Sequence, residues 1–152
     1  VEEIKRLVRE MKFAHPVHIE EGNYAPQVFY EMAKGMEKLP EGGERCFKCY
    51  RLRMEEAAKA ARDGGYDYFT TTLSISPLKN AQKINEIGEE LAETYGVAHL
   101  PSDFKKKNGY KRSIELSHEY DLYRQNYCGC VFSKREQEEK IQQKQDSENS
   151  AY

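Results

Sequence analysis

Hydrophobic side chains recur at helical spacing along most of this chain, which predicts a succession of amphipathic helices. The clearest of them runs from Ile84 to Tyr95 and is stopped by Gly96, a residue type that favours helix ends. A last, polar helix is predicted to start at Ser133, because Ser133 and Glu136 have the spacing of a capping box. The same periodicity predicts further helices over residues 1–11, 29–36, 46–63 and 113–120.

Three short segments between the helices have the composition or the alternation of strands. Residues 66–73 and 97–100 are rich in aromatic, β-branched or other apolar side chains and predict buried strands. Residues 13–19 alternate like a short strand, although Pro16 disfavours a central one. Helices that alternate with buried strands predict an α/β fold with a parallel sheet.

Composition narrows the class of protein. The 24 basic and 26 acidic side chains give a net charge of −2, so overall charge does not indicate a nucleic-acid or membrane partner. No apolar run approaches the roughly 20 residues that span a bilayer. Four cysteines in two close pairs suit a cytoplasmic metal or redox protein better than a secreted disulfide scaffold. We expect one α/β domain over 1–141 and a flexible tail over 142–152, which has almost nothing to bury.

The two cysteine pairs are the candidate chemical centre. Cys46 and Cys49 form a C-x-x-C motif at the start of a predicted helix, where amide dipoles favour the thiolates that metals require. A disulfide between Cys128 and Cys130 would close a small strained ring that is easily reduced. Two interpretations stay open on spacing alone. Either one pair binds metal and the other is redox-active, or all four thiolates hold one structural zinc ion in an RNA-binding module.

Basic and aromatic side chains are concentrated in residues 104–127. Interleaved groups of these kinds suit phosphate contact with base stacking, and a solvated loop is the alternative. The candidates for contact with RNA are Lys105, Lys106, Tyr110, Arg112 and Arg124.

Polar side chains follow both predicted buried strands, at Thr70–Thr72 and at Ser102–Asp103. Ligands of parallel sheets lie beyond the carboxyl ends of the strands, so these residues would face a substrate. Asp67 and Asp103 are candidates for acid–base work or metal binding. Strand initiation and loop capping are their structural alternatives.

Four blocks of sequence occur in order between Gly42 and Glu136. They are RCFKCYRLR at 45–53, YFTTTLSISP at 68–77, SDFKK at 102–106 and LYRQNYCGCVFS at 122–133. Together they resemble the cobalamin-independent epoxyqueuosine reductase family, which acts in tRNA queuosine biosynthesis.

The resemblance implies reduction of the epoxide of epoxyqueuosine to queuosine in tRNA, the last step of queuosine biosynthesis. It implies a 4Fe–4S cluster held through Cys46 and Cys49, leaves room for an additional iron, and makes Cys128–Cys130 a redox-active pair. Asp67 or Asp103 would hold metal or supply a proton. The anticodon loop would lie on the basic residues, and the electron donor is not specified. The implied fold is a three-layer, nucleotide alpha-hydrolase-like (Rossmann-like) α/β fold.

One family feature is absent from this sequence. The family opens with a strand that ends in two adjacent cysteines, which supply further cluster ligands, and no such motif occurs here. We therefore expect an N-terminally truncated domain. Its first strand, normally central in the sheet, and two cluster ligands would lie upstream of Val1.

Overall fold

A computed structural model describes residues 1–149 of the chain, with six α-helices and two short strands among them. The elements are α1 (Glu2–Glu10), α2 (Pro26–Ala33), α3 (Glu44–Asp63), β1 (Tyr68–Phe69), a 3₁₀ turn (Thr72–Ile75), α4 (Ala81–Tyr95), β2 (Ala98–His99), α5 (Gly109–Glu119) and α6 (Val131–Asn149).

The two strands pair in parallel, which confirms the α/β class. Tyr68 is in register with Ala98, and Phe69 with His99. Helix α4 makes the crossover between them, as a parallel connection requires. The three-layer, nucleotide alpha-hydrolase-like arrangement stays a prediction.

The main core lies between α3, α4 and the two strands. The faces of α3 and α4 that turn inward carry Met54, Ala58, Ile84, Ile87 and Leu91, all buried. The helices begin and end as their sequences dictate. Asn80 Oδ1 accepts a hydrogen bond from Lys83 N at 3.0 Å, and Gly96 ends α4 with a φ of 68°.

A second, smaller core joins α2, α3 and α6. Phe29 and Ala33 from α2 pack against Phe132 from α6, and Cys49 and Cys130 lie at the edge of this cluster. The ring centroids of Phe29 and Phe132 are 5.9 Å apart. This cluster brings the segment of the second cysteine pair against the helix that carries the first.

The strand predicted over 13–19 is wrong. This segment has no regular structure, and the side chains of Phe13, Val17 and Ile19 are exposed. Pro16 has no N–H to donate, and no strand lies beside residues 13–19 in the described chain. The segment therefore has no strand to pair with.

The strands that do form are shorter than predicted, and local hydrogen bonds explain why. Thr71 Oγ1 accepts from Leu73 N at 3.2 Å and caps the 3₁₀ turn, which diverts the chain from the predicted strand 66–73. The last residue of the predicted strand 97–100, Leu100, still donates its N–H to Phe69 O at 2.9 Å.

Two helix starts also differ from prediction. The loop expected over 105–112 ends early because Lys107 and Asn108 adopt positive φ angles of 50° and 63°, which turn the chain into α5 at Gly109. Ser133 is not a cap, since α6 already begins at Val131. Its hydroxyl instead accepts from Cys128 N at 3.0 Å.

The predicted tail, 142–152, lies partly outside the described residues. Residues 142–149 continue α6, with exposed side chains over 142–148. The domain boundary and the flexibility of the tail stay predictions. Within residues 1–149, none of the helices combines the length and apolar character that a bilayer-spanning segment needs.

Candidate functional site

One cavity of about 280 Å³ brings all four cysteines to a single space, although the two pairs are far apart in sequence. It lies between α2, the start of α3 and the segment that leads into α6. The wall also carries aromatic rings and cations, among them Tyr24, Phe29, Tyr30, Tyr50, Arg53 and Lys79. Thiols, aromatic faces and positive charge therefore surround the same volume.

Cys46 and Cys49 lie in the first two turns of α3, as the C-x-x-C spacing predicted. Cys46 is buried and its Sγ accepts a hydrogen bond from Gly42 N at 3.2 Å. Cys49 is half-buried. The helix starts just before them at Glu44, so both cysteines lie near its positive end.

Cys128 and Cys130 are free thiols with different surroundings. Cys128 is exposed, and Lys79 Nζ donates to its Sγ at 2.8 Å. Cys130 is half-buried, and its Sγ accepts from Ser133 N at 3.4 Å in the first turn of α6. Gly129 between them has a φ of 97°, a conformation in which a side chain would be strained.

Lys79 is held in place between three groups. Its Nζ lies 3.1 Å from Glu41 Oε1, 2.8 Å from Cys128 Sγ and 5.8 Å from the centre of the Tyr50 ring. Only 5% of its side chain is exposed. Burial acts to lower the pKa of Lys79, but the hydrogen bonds with Cys128 and Glu41 outweigh it and raise that pKa. The ammonium is therefore a permanent charge beside this sulfur.

Burial changes the protonation of two further groups in the wall. Burial raises the pKa of the Cys49 thiol, against the effect of the nearby Arg53 guanidinium. Burial likewise raises the pKa of Tyr50 to about 12, against the effect of Lys79. Both groups are neutral at physiological pH in this structure, so any metal that binds Cys49 must displace its proton.

Arg45 fixes the spacing between the helices that flank the cavity. Its guanidinium donates to the carbonyls of Met36, Glu37 and Leu39, which close the loop between α2 and α3. It also lies 3.3 Å from Glu136 and over the ring of Phe132, both on α6. The side chain is 2% exposed. Because it satisfies backbone acceptors and a carboxylate at once, its buried charge is fully compensated.

The cysteines of this cavity are the type of ligand that an iron–sulfur cluster takes. Cys46 and Cys49 alone are fewer ligands than such a cluster needs. Thiolates are the ligands that such clusters use, and Cys46 and Cys49 present two of them at one end of the cavity. In residues 1–149 no three or more His, Cys, Asp or Glu side chains are arranged to hold a metal ion.

Asp67 and Asp103 are absent from the residues that line the cavity. Asp67 is exposed directly before β1. Asp103 pairs with Lys105 Nζ at 2.9 Å and Lys106 Nζ at 3.6 Å, and the Lys105 hydrogen bond lowers its pKa. Their catalytic assignment stays a prediction.

The predicted RNA-contact residues differ in how far their side chains are exposed. Lys105 is anchored, because it binds Asp103 and donates to Lys79 O at 3.4 Å. Lys106 has 78% of its side chain exposed. Arg112 is exposed and pairs with Glu115 on α5.

Tyr110 on α5 and Arg124 in the segment that follows this helix form one unit. The Arg124 guanidinium lies 5.8 Å from the centre of the Tyr110 ring and donates to Ser113 O at 3.0 Å and Ser117 Oγ at 2.8 Å. The chain then runs only a few residues to Cys128. Arg124 thus ties the segment before Cys128 to α5, and Lys105 ties the loop before α5 to Lys79.

Sequence reasoning missed several residues that the structure places at the site. Lys79 and Arg53 stand beside sulfur atoms, and Tyr24 and Tyr30 are exposed at the cavity wall. Lys79, Tyr24 and Tyr30 lie outside the four sequence blocks that carry the resemblance, whereas Arg53 ends the first block. Arg45 and Arg53 bracket the C-x-x-C, and their positions one helical turn from a cysteine were the only available signal.

Comparison with known proteins gives a consistent result. Residues 1–136 match the family model described as "Epoxyqueuosine reductase QueH". The chain is 51% identical over 119 residues to the epoxyqueuosine reductase QueH of Staphylococcus epidermidis, a match that covers 77% of this chain and 50% of that protein.

Two further relatives carry the same name. The protein of Streptococcus pyogenes is 45% identical over 126 residues, covering 83% of this chain and 49% of the relative. The protein of Thermotoga maritima is 43% identical over 112 residues, covering 74% and 58%. The chain thus spans about half the length of the curated relatives it matches. The family-model match over residues 1–136 shows the family: the chain belongs to the epoxyqueuosine reductase QueH family.

Proposed function

We propose that this chain takes part in the reduction of epoxyqueuosine to queuosine in tRNA, at the cavity lined by its four cysteines. The observation that carries the proposal is the convergence of Cys46, Cys49, Cys128 and Cys130 on one space in a member of this family. The relatives' printed name supplies the reaction class. A tRNA substrate places the reaction in the cytoplasm.

The reaction needs electrons, protons and a way to hold the epoxide. Loss of the epoxide oxygen as water, with a carbon–carbon double bond left behind, consumes two electrons and two protons. Thiols can supply both when a dithiol is oxidised to a disulfide. We assign this role to Cys128 and Cys130, which are free and adjacent in the cavity wall.

Cys46 and Cys49 are assigned as two ligands of a 4Fe–4S cluster, with an additional iron as part of the same proposal. When bound, such a group would supply electrons one at a time and a Lewis-acidic iron. The chain's own contribution here is the positive end of α3 and the Gly42 N–H that donates to Cys46 Sγ. Both lie where the sulfur atoms would meet the cluster.

The walls of the cavity are suited to a nucleoside. Tyr24 and Tyr30 are 88% and 53% exposed at the wall, so their faces are open to a base that leaves the stack. Aromatic stacking is the common way in which proteins hold single-stranded bases. The proposal therefore places the modified base against these rings and its reactive ring toward the thiols.

The basic and aromatic side chains of residues 106–124 would hold the surrounding anticodon loop. Lys106, Lys111 and Arg112 are exposed, and Tyr110 with Arg124 forms a cation–aromatic pair beside them. Phosphate contacts of this kind supply affinity without sequence specificity. Specificity then resides at the cavity.

Deletion of the gene that encodes this chain tests the reaction. Total tRNA from the deletion strain should contain epoxyqueuosine in place of queuosine when its nucleosides are measured by mass spectrometry. Queuosine should return when the gene is restored. Unchanged queuosine in the deletion strain would contradict the proposal.

Metal analysis tests the cofactor assignment separately. The anaerobically purified protein should contain iron and sulfide with visible absorption, and Cys46→Ala and Cys49→Ala should lose both. Thr94→Ala, an exposed change on α4, is the matched control. Stoichiometric zinc with no visible absorption would instead support the alternative, a zinc-stabilised RNA-binding module with four cysteine ligands.

A further inference from the structure

The two thiols of the C-x-C pair differ in access and in charge. Cys128 is exposed, while Cys130 is half-buried against Phe29 and Phe132. Lys79 Nζ donates to Cys128 Sγ at 2.8 Å, whereas the groups within hydrogen-bond reach of Cys130 Sγ are the N–H and hydroxyl of Ser133. Only Cys128 combines an open approach with a neighbouring positive charge.

Lys79 is built into this position. Glu41 holds the ammonium at 3.1 Å, Tyr50 covers it, and its side chain is 5% exposed. Lys79 lies just before α4, whose N-cap is Asn80. Other titratable or charged groups around the pair are Glu41, Cys46, Cys49, Tyr50 and Arg53.

We propose that Cys128, the exposed thiol, is the entry thiol for a dithiol electron donor and that Lys79 is the positioning residue that stabilises the Cys128 thiolate. This deepens the proposed function, on which it rests, by naming the chemical class of the donor and the residue that receives its electrons.

The exchange balances as follows. A donor thiolate attacks Cys128 Sγ of the oxidised pair, the Cys128–Cys130 bond breaks, and Cys130 leaves as a thiolate that takes a proton from water. The donor's second thiolate then attacks its own sulfur in the mixed disulfide. The donor becomes a disulfide, and Cys128 leaves as a thiolate beside the Lys79 ammonium. Two electrons pass from the donor to the cysteine pair, Cys130 takes one proton from water, and Cys128 remains a thiolate until water protonates it.

Lys79 acts in the second step, when Cys128 leaves the mixed disulfide with the donor. A thiolate leaves faster when its negative charge is stabilised, and a buried ammonium at hydrogen-bond distance provides that stabilisation. The same charge raises the reactivity of reduced Cys128 in the reverse direction. Both directions therefore pass through Cys128.

Mixed-disulfide formation with glutathione disulfide tests the proposal without tRNA, so its failure is separable from failure of the proposed reaction. In the Cys130→Ser chain, peptide mapping should find glutathione on Cys128. In the Cys128→Ser chain, reaction at Cys130 should be about tenfold slower or worse. Equal rates at the two sulfurs would overturn the assignment of the entry thiol.

Variants of Lys79, made in the Cys130→Ser background, test the role of its ammonium. Lys79→Gln should slow the reaction of Cys128 about tenfold, and Lys79→Arg should restore most of the rate. Lys83→Gln removes a lysine of α4 that pairs with Glu86, and it should leave the rate unchanged. A Lys79→Gln rate equal to the parent's, or no recovery with arginine in a folded variant, would overturn the role of the ammonium.

Discussion

Arg45 on α3 lies 3.3 Å from Glu136 on α6, and this buried ion pair ties the helix that carries Cys46 and Cys49 to the helix that follows Cys128 and Cys130. The same guanidinium also binds three carbonyls of the loop before α3. One side chain thus sets the distance between the two cysteine pairs.

Arg45→Met should lower the free energy of unfolding by about 2–4 kcal/mol, because it leaves buried carbonyls and a carboxylate without their donor. Urea unfolding followed by circular dichroism measures this. Arg62→Met is the matched control, since Arg62 is exposed on the same helix and should change stability by less than about 0.5 kcal/mol. Equal effects of the two substitutions would contradict the role given to Arg45.

Gly88→Ala should destabilise the core of the protein. Alanine has the higher helix propensity, by about 1 kcal/mol, so a gain in stability would be expected from α4 alone. A Cβ at Gly88 would, however, overlap the buried His99 ring, and such overpacking costs about 1–3 kcal/mol.

A double-mutant cycle separates these two effects. In a His99→Ala background the ring is gone, so Gly88→Ala should become neutral or stabilising in thermal unfolding. The packing account is wrong if Gly88→Ala stabilises the protein while His99 is still present.

Tyr50 should make the protein less stable at high pH. Its folded pKa of about 12 exceeds the ordinary value of 10, so its contribution to stability is complete below pH 10 and is lost as pH rises toward 12. Tyr50→Phe should remove this part of the decline between pH 10 and 12. Urea unfolding of both proteins across that range gives the comparison, and parallel curves would refute the assignment.

Lys111 and Arg112 on α5 should contribute salt-dependent affinity for tRNA. Replacing Lys111 and Arg112 by glutamate should weaken binding in filter assays and reduce the slope of log affinity against log salt, because fewer counterions are released. Lys83→Glu, a change on α4, should have little effect. Identical slopes for all three proteins would place the tRNA elsewhere.

The parts of this fold that sequence predicted well are those set by local spacing. The periodicity of Ile84, Ile87 and Leu91 located α4, and Gly96 located its end. The strands were overestimated because β-propensity in 66–73 carries no information about Thr71, whose hydroxyl turns the chain away after two residues. Likewise, the positive φ angles before Gly109 that start α5 early leave no periodic signal.

The candidate site was predicted in its residues but not in its assembly. The motifs identified Cys46, Cys49, Cys128 and Cys130 as the chemical groups, and spacing left open whether they meet. Their convergence depends on the packing of Phe29 against Phe132, a contact between residues over a hundred positions apart. Lys79 was missed for the same reason, because a single lysine acquires meaning only when the fold brings it to a sulfur atom.

The most direct test of the central claim is the ratio of epoxyqueuosine to queuosine in tRNA from cells whose gene for this chain carries Cys46→Ala or Cys128→Ser. Both variants should accumulate epoxyqueuosine as the deletion strain does, while Thr94→Ala should retain queuosine. Immunoblotting should show equal protein levels in all three strains. Normal queuosine in either cysteine variant would contradict the claim that the thiols of this one cavity carry out the reduction.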